Sequence, residues 1–157
     1  MLPAPRKPKK AIQDAQEIER ILDRGQVLYL AMSKDDQPYV LPFNYGRQGG
    51  RIYLHTGRQG FKHQFLAANP RVSFAVAVDV ELAPGQNACA WDCRYQSVVG
   101  VGRARVVEDP AERELGLRAV TAHYAGPGEH DFRPASLERA CVVCVEIDAL
   151  TGKRNQT

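Results

Sequence analysis

Three short apolar segments near the start of the chain lie so close together in sequence that they can only form antiparallel hairpins. They are predicted as strands over residues 26–32, 39–45 and Arg51–Thr56, and the gaps between them hold six and five residues. A parallel connection needs a dozen residues or more. Pro42 lies inside the second segment, so we expect it at a bulge or at a position where no backbone N–H is needed.

Three more strands and four helices are predicted from apolar periodicity and from capping signals. The strands cover residues 72–80, 95–107 and 141–147, and the helices cover residues 12–24, 60–69, 110–124 and Pro134–Arg139. The clearest local signal is Asp109-Pro-Ala-Glu112, which offers an N-cap, a proline at the first helical position and an acid three residues after the cap. Six strands with few helices predict an α+β domain built on a closed or half-closed antiparallel barrel.

The length and charge of the chain limit its domain organisation and its partners. Its 157 residues fit one domain, predicted at residues 11–157, and residues 153–157 read as a polar tail. Residues 1–10 mix four cations with three prolines and predict a disordered basic arm. A formal net charge of +3 is too small to indicate nucleic acid, and no apolar run is long enough to span a membrane.

The compartment follows from the N-terminal sequence and the cysteines. No apolar segment typical of a secretion signal follows the start, so a cytoplasmic location is expected, with all four cysteines as thiols. Cys141 and Cys144 have the spacing of a zinc motif, but three residues apart on a strand their side chains point to opposite faces. We therefore expect no metal.

The corner that follows Arg51–Thr56 carries the residues best suited to bind an anion. It places His55 and Thr56 at the end of a strand and Lys62 at the start of a helix, with Gly57 and Gly60 between them. A helix start offers free N–H groups to an anion. A structural histidine and a solvated lysine are the alternative readings of His55 and Lys62.

Six segments, taken in order, resemble one family. They are Tyr39-Val-Leu-Pro-Phe-Asn-Tyr45, Leu54-His-Thr-Gly-Arg-Gln-Gly-Phe-Lys62, Ala68-Asn-Pro-Arg-Val-Ser-Phe74, Ala88-Cys-Ala-Trp91, Tyr95-Gln-Ser-Val98 and Thr151-Gly-Lys153. With them the chain resembles the pyridoxamine 5′-phosphate oxidase-like split-barrel flavoproteins, and among these the nitroimidazole-reductase-like branch. The resemblance implies a six-stranded antiparallel split β-barrel with flanking helices.

The resemblance also implies a cofactor, FMN, held between the two subunits of a homodimer. The implied cofactor-binding residues are Leu41, Pro42, Phe43, Asn44, His55, Thr56, Lys62, Gln96, Ser97, Val98 and Lys153. His55 is the implied catalytic residue, because the branch carries a histidine near flavin and substrate at this position. Gln96 departs from the arginine common in the branch, and Arg58 or Lys62 is expected to supply the missing charge.

The activity implied by the resemblance is that of an FMN-dependent oxidoreductase of the nitroreductase kind, as in nitroimidazole resistance. A nicotinamide cofactor would donate the electrons and a small nitro-aromatic molecule would accept them. Two alternatives remain open: a flavin-binding or redox-sensing protein without turnover, and a split barrel that binds a deazaflavin or haem instead. No nucleic-acid or membrane partner is expected.

Overall fold

A computed structural model of the chain describes residue 2 and residues 5–156. Its eight strands are β1 (Ala11–Ile12), β2 (Leu28–Lys34), β3 (Gln37–Phe43), β4 (Tyr45–Gln48), β5 (Arg51–Thr56), β6 (Arg71–Ala83), β7 (Asp92–Val106) and β8 (Cys141–Asn155). Its α-helices are α1 (Ala15–Arg24), α2 (Lys62–Ala68), α3 (Pro110–Ala125) and α4 (Pro134–Arg139). All strand pairs are antiparallel. The predicted α+β barrel is confirmed.

The strand predicted over residues 39–45 is in fact two strands that belong to opposite ends of the sheet. The sheet order is β3-β2-β6-β7-β8-β5-β4, and Asn44 is the single residue that joins its two ends. Phe43 pairs with Leu28 of β2, whereas Tyr45 pairs with Leu54 of β5. This break, together with β1, accounts for eight strands where six were predicted. It also bends the sheet into a split barrel.

The interior of the barrel holds the main hydrophobic core. Leu28, Tyr45, Leu54 and Phe74 are almost fully buried there, and α1 and α2 add residues such as Leu22 and Phe65. Burying such side chains stabilises the fold by roughly 1.5–3 kcal/mol each. The core therefore fixes the position of β3 and β5, which frame the predicted site.

A second, smaller core lies on the outside of the barrel, under α3. Tyr53 of β5 faces away from its neighbours Ile52 and Leu54, yet it is only 2% exposed. Leu117 of α3 and Val142 of β8 pack in the same cluster. Helix α3 thus covers the outer side of β5 at Tyr53.

The outer side of the sheet from β3 to the C-terminal half of β8 is not covered in this way, and we call it the open face. Directly opposed residues on it are Pro42, Tyr29, Ala75, Val99 and Thr151 in one row, and Ala77, Ser97, Lys153 and Ala11 in the next. Tyr29, Val40 and Val99 are 52%, 58% and 38% exposed. The open face is therefore a largely apolar surface.

The two ends of the chain differ from the sequence expectation. Strand β8 continues to Asn155 and pairs with both β7 and β1. The prediction of a polar tail is therefore wrong for residues 153–155. At the other end, Pro8–Lys10 forms a 3-10 turn beside β8. Residues 1, 3 and 4 of the predicted disordered arm lie outside the described residues.

Glycine is required at two places in the fold for different reasons, backbone conformation in one and space in the other. Gly49 and Gly50 have φ of 57° and 77° and form the predicted hairpin turn between β4 and β5. Gly25, the residue that ends α1, has an unstrained φ of −64°. It is needed for space, because an added Cβ would overlap the Val76 side chain and the Tyr45 hydroxyl.

Candidate functional site

The strand-to-helix corner brings a histidine, a hydroxyl and an ammonium group to the end of β5. His55 is exposed and lies opposite Val142 of β8, while Thr56 is half-buried opposite Cys141. The Lys62 ammonium donates to the Gln59 carbonyl at 2.9 Å, so it lies back over the corner. The predicted juxtaposition of His55, Thr56 and Lys62 at one corner is thus present.

The charge of the corner rests on Lys62 more than was expected. The Arg58 guanidinium donates to the carbonyls of Glu138 and of Arg139, the latter at 3.0 Å, at the end of α4. It is therefore engaged elsewhere. Helix α2 has only seven residues, so its dipole is a weak attraction for an anion. Burial raises the pKa of the neighbouring Cys141 thiol, and the cations of Arg58 and Lys62 partly oppose that shift.

Strand β3 presents a free edge beside this corner. It is the terminal strand of the sheet and pairs with β2 without a bulge, so Pro42 sits where its missing N–H costs no ladder bond. The side chains of Leu41 and Phe43 pack against the inner core. Near Asn44, this edge therefore offers a ligand its backbone and the exposed Pro42.

The structure brings the β3 edge and the corner together. The Tyr39 ring lies 5.6 Å from the Phe61 ring and 5.0 Å from the Phe65 ring, which ties β3 to α2. At the other end of β3, Asn44 is exposed and directly precedes the pair of Tyr45 with Leu54. We call this arrangement the seam. It comprises seven of the predicted residues, Leu41, Pro42, Phe43, Asn44, His55, Thr56 and Lys62.

The four remaining predicted residues lie away from the seam, on β7 and β8. Ser97 of β7 and Lys153 of β8 are directly opposed on the open face, three and four strands away from β3. Val98 is fully buried in the core, so its side chain is not available to a ligand. Gln96 lies beside Ser97 and donates to Asp79 at 3.1 Å. Within one chain, then, the predicted site is divided into two groups.

Arg24 is a cation near Gln96 that the sequence did not indicate. Asp79 has a left-handed φ of 54° at a bulge in β6, and it accepts from Arg24 at 2.6 Å as well as from Gln96. Fifty-five positions separate Arg24 from Asp79, so no local pattern could have revealed the pair. Arg24 is thus a cation that shares the Asp79 carboxylate with Gln96.

The remaining surface of the described residues offers no metal site, and it has a large cavity away from the predicted residues. Among the described residues no group of three or more His, Cys, Asp and Glu side chains is placed to hold a metal ion. A cavity of about 750 Å³ opens on the open face between β2, β6 and β7, lined in part by Ser33, Arg71 and Asp148, and contains none of the predicted site residues. No helix in the described part of the chain is long and apolar enough to cross a membrane.

Comparison with known proteins agrees with this fold. The sequence profile of the pyridoxamine 5′-phosphate oxidase family matches residues 14–154. An uncharacterized protein of Rhizobium meliloti strain 1021 is 26% identical over 163 residues, covering 90% of this chain and 93% of its own.

Two solved structures are similar over most of the chain. A candidate 5-nitroimidazole antibiotic resistance protein from Bacteroides thetaiotaomicron is 26% identical, with a TM-score of 0.80 over 92% of this chain and 86% of its own. A FAD- and heme-binding protein from Mycobacterium smegmatis has a TM-score of 0.81 over 94% of this chain and 74% of its own. At 19% identity, the second shows the fold alone.

Proposed function

Because the chain belongs to the pyridoxamine 5′-phosphate oxidase family, we propose that it is an FMN-dependent oxidoreductase that reduces a small nitro-aromatic acceptor. The observation that carries this proposal is the seam, where a free sheet edge meets an exposed histidine, a hydroxyl and a lysine. We place the protein in the cytoplasm, since its four cysteines are free thiols.

The residues of the seam fit a flavin mononucleotide. Thr56 and Lys62 would hold its phosphate, because an ammonium group has three N–H donors and the Gln59 carbonyl occupies one of them. The free backbone edge of β3 from Leu41 to Asn44 suits the polar edge of a flat ring. Bound FMN would supply the reversible two-electron chemistry that no side chain of this site can provide.

His55 is the proposed catalytic residue. Its exposed imidazole stands at the end of β5, next to the residues proposed to hold the cofactor. A neutral imidazole can donate a hydrogen bond to a nitro oxygen, and an imidazolium can deliver a proton to the reduced acceptor. A small acceptor and a nicotinamide donor would both approach from this solvent-facing side.

A homodimer formed through the open face would complete the site. In one chain β2 and β6 separate the β3 edge from Ser97, and β7 also separates it from Lys153, at a spacing of about 4.8 Å per strand. A second copy packed on the open face would bring its own Ser97 and Lys153 towards the first copy's seam. The exposed Tyr29 and Val99 supply the apolar contact that such an interface needs.

The dimer is tested by placing a charge on the open face. Val99→Glu should convert the protein to monomers in sedimentation velocity and weaken its FMN binding. Val106→Glu is the matched control, since Val106 lies on the same strand with a similar exposure of 40% but off the open face. A monomeric wild type, or a Val99→Glu variant that stays dimeric, would rule out this interface.

The cofactor and the reaction are tested on the purified protein. Flavin absorbance that is bleached by NAD(P)H and restored by a nitroimidazole under anaerobic conditions supports the proposal. Flavin that cannot be reduced in this way indicates a flavin sensor or carrier without turnover. A haem or deazaflavin spectrum would show that the protein binds that cofactor instead of FMN. Protein that stays colourless with added FMN excludes both flavin functions.

Two substitutions test the division of roles within the seam. His55→Ala should lower kcat for the nitro acceptor about 100-fold, the lower range for loss of a general acid, with FMN retained. Lys62→Ala should weaken FMN binding about tenfold, equivalent to ~1.4 kcal/mol. His130→Ala and Lys34→Ala are the controls, because neither residue lies in the seam. Full activity of His55→Ala, or unchanged FMN affinity of Lys62→Ala, would refute the corresponding role.

A further inference from the structure

A pocket of about 360 Å³ lies beside the C-terminal end of β8, and four of the five residues lining it are cations. These residues are Arg6, Lys7, Lys10, Lys153 and Pro5, and we call the site the basic pocket. It lies outside the seam. The N-terminal arm contributes all of its lining except Lys153, so the pocket exists only because this arm folds back on the barrel.

The arm is held in place by backbone and side-chain bonds. Ala11 of β1 pairs with Lys153, and the Lys10 N–H donates to the Lys7 carbonyl at 2.9 Å. The Lys10 ammonium donates to the amide oxygen of Asn155, which is only 4% exposed. The Asn155 amide nitrogen in turn donates to the Cys93 carbonyl at 2.6 Å. A buried amide therefore sets the direction of Lys10.

Lys153 is held as well. Its ammonium lies 5.3 Å from the centre of the Tyr95 ring, within the range of a cation–π contact. Tyr95, which contacts Lys153, is directly opposed on the neighbouring strand to Asn155, which binds Lys10. The two lysines are thus positioned by the same part of the sheet.

The charge of the basic pocket is not neutralised within the described residues. None of the ion pairs found there involves Arg6, Lys7, Lys10 or Lys153. By contrast, Arg154, the residue next to Lys153, is paired with Glu17 at 2.8 Å. Like charges gathered around one cavity repel each other, and a bound anion would remove that cost.

We propose that the basic pocket binds the diphosphate group of a nucleotide. A diphosphate carries several acceptor oxygens and more than one negative charge, and it matches a set of convergent cations better than a single carboxylate does. The pocket volume lies within the range of small-molecule sites. Lys153 is directly opposed to Ser97 on the open face, so the pocket lies at the edge of that surface.

Two sources offer this chemistry, namely the adenylate half of FAD and a nicotinamide dinucleotide. Which of them binds rests on the proposed function, but the anion site itself does not. It is tested on the purified full-length protein without any turnover, by calorimetry with inorganic pyrophosphate and with ADP at 0.05 M and about 0.15 M salt.

The variant for this test is Arg6→Ala with Lys7→Ala, which removes two of the four cations and leaves the Lys10–Asn155 bond intact. It should bind pyrophosphate and ADP at least about tenfold more weakly than the wild type, with an unchanged melting temperature. Lys34→Ala with Arg133→Ala removes the same charge at positions outside the basic pocket and the seam, and it should change the pyrophosphate affinity less than about twofold. Equal losses in both variants, or no loss in the first, would overturn the proposal.

Competition identifies the source of the diphosphate. If FAD is the ligand, it displaces pyrophosphate and the Arg6/Lys7 variant loses affinity for FAD but not for FMN. If the nicotinamide dinucleotide that donates electrons is the ligand, NADPH or NADH displaces pyrophosphate and nicotinamide mononucleotide does not. Failure of every dinucleotide to compete, or stronger displacement by a single-stranded oligonucleotide, would overturn the assignment to a nucleotide diphosphate.

Discussion

Glu112 in the first turn of α3 is the charge on which the docking of that helix most depends. It accepts two hydrogen bonds from the Arg105 guanidinium, at 2.7 and 3.0 Å, and lies 3.5 Å from the hydroxyl of the buried Tyr53. The Glu112 carboxylate is 20% exposed and Arg105 is 44% exposed. Replacing Glu112 by glutamine keeps the shape and removes the charge.

The expected loss follows from these contacts. Two charge-assisted hydrogen bonds become ordinary ones at a loss of about 0.5–1 kcal/mol each, and the exposure of Arg105 favours the low end of that range. Glu112→Gln should therefore lower the free energy of unfolding by about 1 kcal/mol at pH 7. Glu114→Gln on the same helix removes only an exposed pair with Arg118 and should cost about 0.3 kcal/mol.

The stabilisation by Glu112 should depend on pH in a defined direction. The hydrogen bonds from Arg105 hold the pKa of Glu112 below its ordinary value of 4.5, even though burial acts in the opposite direction. A depressed carboxyl pKa contributes stability that is complete above the unfolded pKa and is lost as the pH falls through the folded one. The difference between wild type and Glu112→Gln should thus shrink below about pH 4.5, because the glutamine does not titrate.

The assay is urea unfolding, monitored by circular dichroism, for wild type and both variants in steps from pH 7 to pH 3.5. Parallel curves for wild type and Glu112→Gln over this whole range would show that the carboxylate charge contributes nothing. A loss for Glu114→Gln as large as that for Glu112→Gln would show that any acid on α3 acts equally. Either result would refute the reasoning.

Two further predictions concern the same helix. Gly46→Ala should lower the free energy of unfolding by about 2 kcal/mol or more, because the new methyl would overlap the backbone of Ala119, whereas Gly57→Ala meets nothing closer than 4.0 Å and should be neutral in the same urea titration. Asp109→Ala removes the cap that accepts from the Glu112 N–H at 2.7 Å and should lower the melting temperature, with a loss of about 1 kcal/mol that Asp109→Ser largely restores.

Most secondary structure was predictable because its causes are local. The start of α3 at Pro110 follows from the Asp109 cap and from a proline whose φ already suits a helix. The β4–β5 hairpin follows from two glycines with positive φ. The division of residues 39–45 at Asn44 was not predictable, because both halves are apolar and extended and differ only in the distant strand with which each pairs.

The candidate site shows the same limit. The corner from His55 to Lys62 was recognisable, since eight consecutive residues carry its turn, its hydroxyl and its charge. The role of Glu112 was not, because the sequence indicates a partner in its own helix turn and its carboxylate instead binds Arg105 on β7. The partners of Arg58, one of the two cations expected to supply the corner's charge, were not recognisable for a similar reason, since the carbonyls that bind it lie eighty or more residues away.

The sequence alone determined the hairpins, the capped helix, the corner and the family resemblance, because each depends on residues adjacent in the chain or on motifs in fixed order. Only the tertiary structure decided which surfaces are covered and which charges meet. It buries Tyr53 under α3, leaves the open face free, brings Arg24 to Asp79, and folds the basic arm onto β8 so that Lys10 meets Asn155. These contacts join residues 55 to 145 positions apart or depend on packing against a whole helix, so no local pattern encodes them.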